Sequence, residues 1–240
     1  STWYFVDELA LLLDCGDGAS AGLLQKSRKA RTIAISHSDR DHLNGLAQLL
    51  QLNTREGGLP LVMYPRDCAS FPAFRDFLNE FDQPPEGNRW LAIGAGHQEE
   101  LGKAKARIES FRNRHIDDDC GRLVKSLSYR VVVSHQRLRP EFASYPDEKI
   151  AQARKQHGDE AVMTRMEETL LTYSADTPIE SALFWGHPKV LIHECTFLHA
   201  GDAESRGQEL RHSALDQVIP MSAELPLETL ILGHFSTRYG

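Results

Sequence analysis

Four metal-ligand side chains fall within six residues of the stretch ISHSDRDHLNG: His37, Asp39, Asp41 and His42. They come straight after the apolar run TIAI. Side chains alternate along a strand, so His37 and Asp39 point the same way where that strand ends. Asp41 and His42 then open the helix that follows. Such a run can feed two neighbouring cations, with His37 and Asp39 on one and Asp41 and His42 on the other. Two divalent ions about 3.5–4 Å apart can share a hydroxide and polarise a phosphodiester. The structural alternative is a polar turn with a helix cap at Asp41, which four ligand types in six places outweigh.

Two ions need further ligands. His115 closes KARIESFRNRH, Asp176 closes TLLTYSAD and His234 closes ETLILGH. Each sits at the C-terminal end of an apolar strand pattern, and that shared placement is the argument for all three. Asp176 is suited to bridge two cations because a carboxylate offers two oxygens.

The elements that must position these residues alternate in type along the chain. WYFVDELALLLDC predicts a strand hairpin turning near Asp7 and Glu8. ARTIAISH predicts a strand, and HLNGLAQLLQL a helix with Leu43, Leu46, Leu49 and Leu50 on one face. LPLVMY is a strand, DCASFPAFRDFLNEF a helix after its proline, and RWLAIG, KARIESFRNRH and SLSYRVVVSH are strands. TLLTYSAD and PKVLIHECTF predict buried strands flanking the short helix IESALFW. HSALDQVIPMSAEL predicts a helix and ETLILGHFS a last strand. The polar region 139–168 reads as a surface excursion with one helix. Several strands follow one another without helices, which favours an α/β sandwich with mixed sheets over a doubly wound fold. The whole range 1–240 reads as one domain.

Hydrophobic residues make up 41% of the 240 and charged residues 25%, as a packed core requires. No apolar run is long enough to span a membrane, so no membrane partner is expected. The net charge of −7 argues against a protein that coats nucleic acid non-specifically. Cys15, Cys68, Cys120 and Cys195 form no C-x-x-C pair, which predicts reduced thiols and a cytoplasmic location.

The succession LLLDCGDG, SHSDRDHLNGL, His115, YSADT, HECTF, RHSA and LGHFSTRY resembles the metallo-β-lactamase superfamily. Within it the chain is most similar to ribonuclease Z, the family of endonucleases that trim tRNA 3′ ends. The likeness runs from about Leu11 to the C-terminus. Asp14 and the H-x-x-x-D-H run are common to the superfamily, whereas HECTF, HSA and HFSTRY are the more specific part.

That resemblance implies a metallo-β-lactamase-type four-layer αβ/βα sandwich with two mixed β-sheets and a dinuclear site on one edge. It assigns His37, Asp39, His115 and Asp176 to one ion, and Asp41, His42, Asp176 and His234 to the other, with Asp14 supporting the ligands from behind. Asp41 would orient the nucleophile or take its proton. His212 would protonate the leaving oxygen, with Glu194 setting its charge and tautomer. Ser236 and Arg238 would touch phosphate, the arginine by a bidentate contact. His193 should face away and be structural.

The implied cofactors are two divalent ions, zinc first, with manganese or magnesium as alternatives. The implied partner is RNA, a tRNA precursor, with a homodimer suggested by resemblance alone. Small phosphodiesters such as cyclic nucleotides are the alternative substrates, and a non-catalytic binding member of the fold is the third reading. Two departures bear on these readings: the family has histidine where this chain has Asp39, and region 139–168 lacks the Gly-Pro-rich arm with which many members grip tRNA.

Overall fold

The computed structural model describes residues 1–53, 59–81, 89–102, 105–116, 121–209 and 211–239. Cys120 lies outside the described residues. One sheet contains β1 (Tyr4–Val6), β2 (Leu11–Leu13), β3 (Thr32–Ala34), β4 (Leu61–Pro65) and β5 (Trp90–Ile93) in that spatial order. β1 is antiparallel to β2, and the remaining pairs are parallel. The other sheet contains β6 (Gln98–Glu100), β7 (Ala106–Arg112), β8 (Leu127–Leu138), β9 (Met163–Tyr173), β10 (Val190–Glu194) and β11 (Thr229–Gly233). Its order is β11-β10-β9-β8-β7-β6. The first three of these strands are mutually parallel, and the pairs from β9 to β6 are antiparallel. Both sheets are therefore mixed, as expected from the sequence.

Helices α1 (Ala19–Leu23), α2 (Arg40–Leu43), α3 (Leu46–Leu52) and α4 (Ser70–Phe81) belong to the first half of the chain. Next come α5 (Asp147–His157), α6 (Asp159–Val162), α7 (Ala182–Trp185), α8 (Ala200–Glu204) and α9 (Leu215–Ala223). The apolar clusters define the layers. Leu11, Leu13 and Met63 of one sheet pack with Ile108, Tyr129, Val131 and Ile192 of the other. Leu12, Ile33 and Val62 face the opposite way and meet Leu43, Leu46, Leu49, Leu50 and Phe71 from the helices. Leu191 on the outer face of the second sheet meets Ala182, Trp185, Val218 and Met221. The result is helix, sheet, sheet, helix. Leu11, Leu12 and Leu13 are fully buried although their side chains alternate, because both faces of this sheet are covered. Each such burial contributes about 1.5–3 kcal/mol.

Four local features differ from the sequence reading. The region 139–168 is not all excursion: β9 begins at Met163, so the hairpin of β8 and β9 runs on and α5 and α6 cap its far end. Alternating apolar residues were too few there to mark residues 163–168 as strand; pairing to β8 supplies the order. α4 starts at Ser70, two residues before its proline, which a first helical turn accommodates. α9 starts only at Leu215, leaving His212 and Ser213 on the approach to it. The short β6 carries three polar residues and no apolar signal.

One glycine sets the geometry next to the HxxxDH run. A Cβ on Gly45, between α2 and α3, would collide with the backbone carbonyls of Gly16 and Cys15. Gly45→Ala is expected to destabilise the fold by about 1–3 kcal/mol, read as a lower denaturation midpoint at an unchanged slope. Wild-type stability in that variant would mean the approach is not fixed. Among the described residues no helix is long and apolar enough to cross a membrane.

Candidate metal centre

The strands β2, β3, β7, β9, β10 and β11 deliver their C-terminal ends to one edge, where ligand sites form in α/β sheets. Asp14 follows β2 directly, and His234 follows β11 directly. His37, His115 and Asp176 each lie three residues past the end of β3, β7 and β9. Glu194 is the last residue of β10. Asp14, Ala175 and His234 have left-handed φ values of 55°, 53° and 59°. Such backbone costs about 1–3 kcal/mol per residue and is kept where a site needs the chain to turn sharply.

The side chains converge in two groups. In the first, the potential ligand atoms of His37, His115 and Asp176 lie within 4.8 Å of one another. The same limit holds for Asp41, His42 and His234 in the second. Asp176 lies between them: its Oδ2 is 3.7 Å from His37 Nε2 and 3.2 Å from His234 Nε2, and its Oδ1 is 3.3 Å from His42 Nε2. Asp39 faces the first group, with Oδ2 3.6 Å from His37 Nε2 and 3.8 Å from His115 Nε2. Asp41 Oδ2 lies 3.1 Å from His234 Nε2.

Outer partners fix each imidazole. Asp14, fully buried, accepts from the Ser36 N–H at 2.6 Å, the Ser36 hydroxyl at 2.8 Å and the Tyr173 hydroxyl at 2.5 Å. With its proton committed to Asp14, the Ser36 hydroxyl oxygen accepts from His37 Nδ1–H at 2.9 Å. His42 Nδ1–H donates to Asp14 at 2.7 Å, His115 Nδ1–H to the Arg211 carbonyl at 2.9 Å, and His234 Nδ1–H to Thr196 Oγ1 at 2.8 Å. Every one of these bonds uses Nδ1 and leaves the Nε2 lone pair pointing to the common space. This is how ligating histidines are held ready for a cation.

The residues fit divalent ions on a second count. His37 Nε2, His42 Nε2 and Asp176 Oδ1 are buried without a hydrogen-bond partner. Such orphaned polar atoms are costly, and together they ask for a cation. The donors are imidazoles and carboxylates, a set that serves zinc and also harder ions.

Electrostatics agree. The imidazoles of His115 and His37 hold Asp39 well below the usual carboxylate range. The His234 contact lowers Asp41 to about 2. Burial alone would raise Asp176, but His42, His234 and His37 outweigh it and keep it ionised. Burial opposes charge on His42, and with no cation present the carboxylates of Asp176 and Asp14 outweigh it and favour a proton, which a metal ion at Nε2 would displace.

A second constellation adjoins the first. Glu194, 3% exposed, accepts from the N–H groups of Thr177, Thr196 and Ser213 and faces His212 Nδ1 at 3.0 Å. His212 Nδ1 is 3.9 Å from Asp176 Oδ2, and His212 also falls within ligand reach of Asp176 and His234. Thr196 Oγ1 donates to Glu194 at 2.7 Å and lies 3.2 Å from His212 Nδ1, so one hydroxyl links both constellations. His193 points elsewhere: it is buried against Trp185 and donates from Nδ1 to its neighbour's carbonyl at 2.7 Å.

Ser236 and Arg238 stand at the rim. The Ser236 N–H donates to the Thr196 carbonyl at 3.1 Å, and the exposed Arg238 guanidinium stacks 5.3 Å over Tyr239. Sequence reasoning missed Ser36, Tyr173, Thr196 and the Arg211 carbonyl. Their only signal was polarity beside a ligand motif.

No family model matches the chain. A curated ribonuclease Z from Pyrobaculum islandicum is 29% identical, the alignment covering 99% of this chain and 81% of that one. The solved structure of the metallo-β-lactamase fold protein YhfI from Bacillus subtilis superposes with a TM-score of 0.58 at 18% identity, covering 95% and 75% of the two chains. The chain has the metallo-β-lactamase fold. Human tRNase Z, short form, is a further solved neighbour of this metallo-β-lactamase-fold protein. It has a TM-score of 0.60 and 17% identity, with 95% of this chain and 82% of that one covered.

Proposed function

We propose that this protein is a metal-dependent phosphodiesterase acting on RNA, a tRNA 3′-end processing endonuclease. The observation that carries the reading is a two-part His/Asp ligand cluster with the His212–Glu194 pair set against it. It stands in a chain similar to ribonuclease Z over 99% of its length.

Two divalent cations, when bound, supply Lewis acidity toward the phosphate and an acidified water as nucleophile. His37, Asp39, His115 and Asp176 would hold one, and Asp41, His42, Asp176 and His234 the other. Asp41, ionised and half-exposed, orients the attacking water and accepts its proton. His212 gives a proton to the leaving oxygen, and Glu194 fixes its ring and tautomer. Ser236 and Arg238 contact phosphate from the rim. The cytoplasm as location and a homodimer as assembly belong to the same proposal.

Incubation with a tRNA precursor carrying a 3′ trailer, and separately with a cyclic nucleotide, tests it in metal-supplemented buffer. Endonucleolytic release of the trailer is the expected result. Turnover of the cyclic nucleotide alone would move the assignment to small phosphodiesters, and no turnover of either would favour a binding role.

Asp39 makes a distinct prediction. A carboxylate there brings negative charge and a hard oxygen donor to the first ion, which weakens its Lewis acidity and shifts preference from zinc towards manganese or magnesium. The wild type is expected to be more active with manganese than with zinc, and Asp39→His to narrow or reverse that order. Identical metal preference in both proteins across pH would remove Asp39 from the tuning of the site.

A further inference from the structure

A cavity of about 470 Å³ opens beside the ligand cluster. Asp39, His115 and His212 line it from the metal centre, with Ile116 beside them, and the remaining lining residues are Arg114, Gln208 and Arg211. Its size lies in the usual range for small-ligand sites, about 300–1,000 Å³. None of the last three residues has a part in the ligand set or in the His212–Glu194 pair.

Arg211 is held by its backbone and open at its side chain. Its carbonyl accepts from His115 Nδ1 at 2.9 Å, and its N–H donates to the Gln208 carbonyl at 2.9 Å. Its exposed guanidinium makes no ion pair with any described carboxylate. Arg114 is tied by Nε to Glu180 Oε1 at 2.6 Å, which steadies a guanidinium that still lines the cavity. A chain of net charge −7 thus places two arginines beside its His/Asp cluster. Guanidinium groups match phosphate oxygens in a planar, two-pronged way. Gln208 offers both donor and acceptor, as a base edge or ribose hydroxyl requires. Asp39 in the same lining repels an anion, so a phosphate is directed to the arginines and the sugar to the imidazoles.

We propose that this cavity is a subsite for a single nucleotide of the RNA, the one on the leaving-oxygen side of the scissile phosphate, with Arg211 and Arg114 holding its neighbouring phosphate. The side follows from His212, the donor to the leaving oxygen, which lines the cavity. This rests on the RNA-cleaving reading above. Arg211 joins two tasks: its main chain orients a ligand imidazole, and its side chain reads the substrate.

The test is calorimetric titration of the metal-loaded protein with a nucleoside 3′,5′-bisphosphate, and with the nucleoside alone, for wild type, Arg211→Ala and Arg211→Lys. These changes keep the carbonyl that holds His115, and metal content per chain reports an intact centre. Loss of a charge-assisted phosphate contact is expected to weaken the bisphosphate about tenfold or more in Arg211→Ala, with part of it recovered in Arg211→Lys. Nucleoside binding should be weak and insensitive to either change. The KM for tRNA precursor should rise by a similar factor in Arg211→Ala. Equal bisphosphate affinity in wild type and Arg211→Ala, with full metal content, overturns the subsite. If the wild type binds the bisphosphate through Arg211 yet leaves the tRNA precursor uncut, the functional reading fails and the nucleotide subsite stands.

Discussion

His212→Ala is expected to lower kcat about 10²–10⁴-fold, the usual worth of a positioned proton donor, while two ions per chain remain bound. The reasoning starts from Nδ1. That atom faces Glu194 at 3.0 Å and Thr196 Oγ1 at 3.2 Å, so it is engaged away from the ion space. Glu194 is itself immobilised by three backbone N–H donors. A buried, fixed carboxylate next to an imidazole sets its tautomer and ring orientation, as a positioned donor needs. Glu194→Gln keeps the shape of that hub while weakening its hold on the His212 ring. It should lower the rate less than His212→Ala, with metal content unchanged. His212 also lies within ligand reach of Asp176 and His234. Metal analysis of His212→Ala therefore decides between two roles: a lost ion would make His212 a ligand, and near-normal turnover would exclude it from the chemistry.

Asp176→Ala should remove metal and activity together. Asp176 is 3% exposed and lies between His37 and His42, with Oδ1 buried and without a hydrogen-bond partner. No other described carboxylate approaches imidazoles of both groups so closely. On the bridging reading, deleting it takes a ligand from both ions. Loss of an outer partner alone costs about 10–100-fold in metal affinity, so the loss here should exceed that, with fewer than two ions per chain and turnover down in proportion. Excess metal should restore little, since the bridging position itself is gone. Two tightly held ions in Asp176→Ala would contradict the bridging role.

Much of this was legible without coordinates. The run from His37 to His42 announces its chemistry because four ligand types crowd one strand end. His115, Asp176 and His234 are visible for the same reason, each closing an apolar run. The alternation of Leu11, Leu12 and Leu13 between two apolar clusters follows from a sheet covered on both faces. The last strand of the β8–β9 hairpin was less legible, since residues 163–168 offer only Met163 and Met166 as apolar side chains and gain their order by pairing with β8.

What only the tertiary structure decided is which partners stand behind the ligands. Asp14 and Tyr173 are 159 positions apart, yet they share one hydrogen bond across the two sheets. Thr196 joins His212 to His234, and Arg211 offers its carbonyl to His115 and its guanidinium to the adjoining cavity. Local sequence carries periodicity, turn chemistry and ligand type, because those depend on near neighbours. It does not carry the orientation of an imidazole, because that depends on a hydrogen bond from a residue that only the packing of one sheet on the other brings within 3 Å.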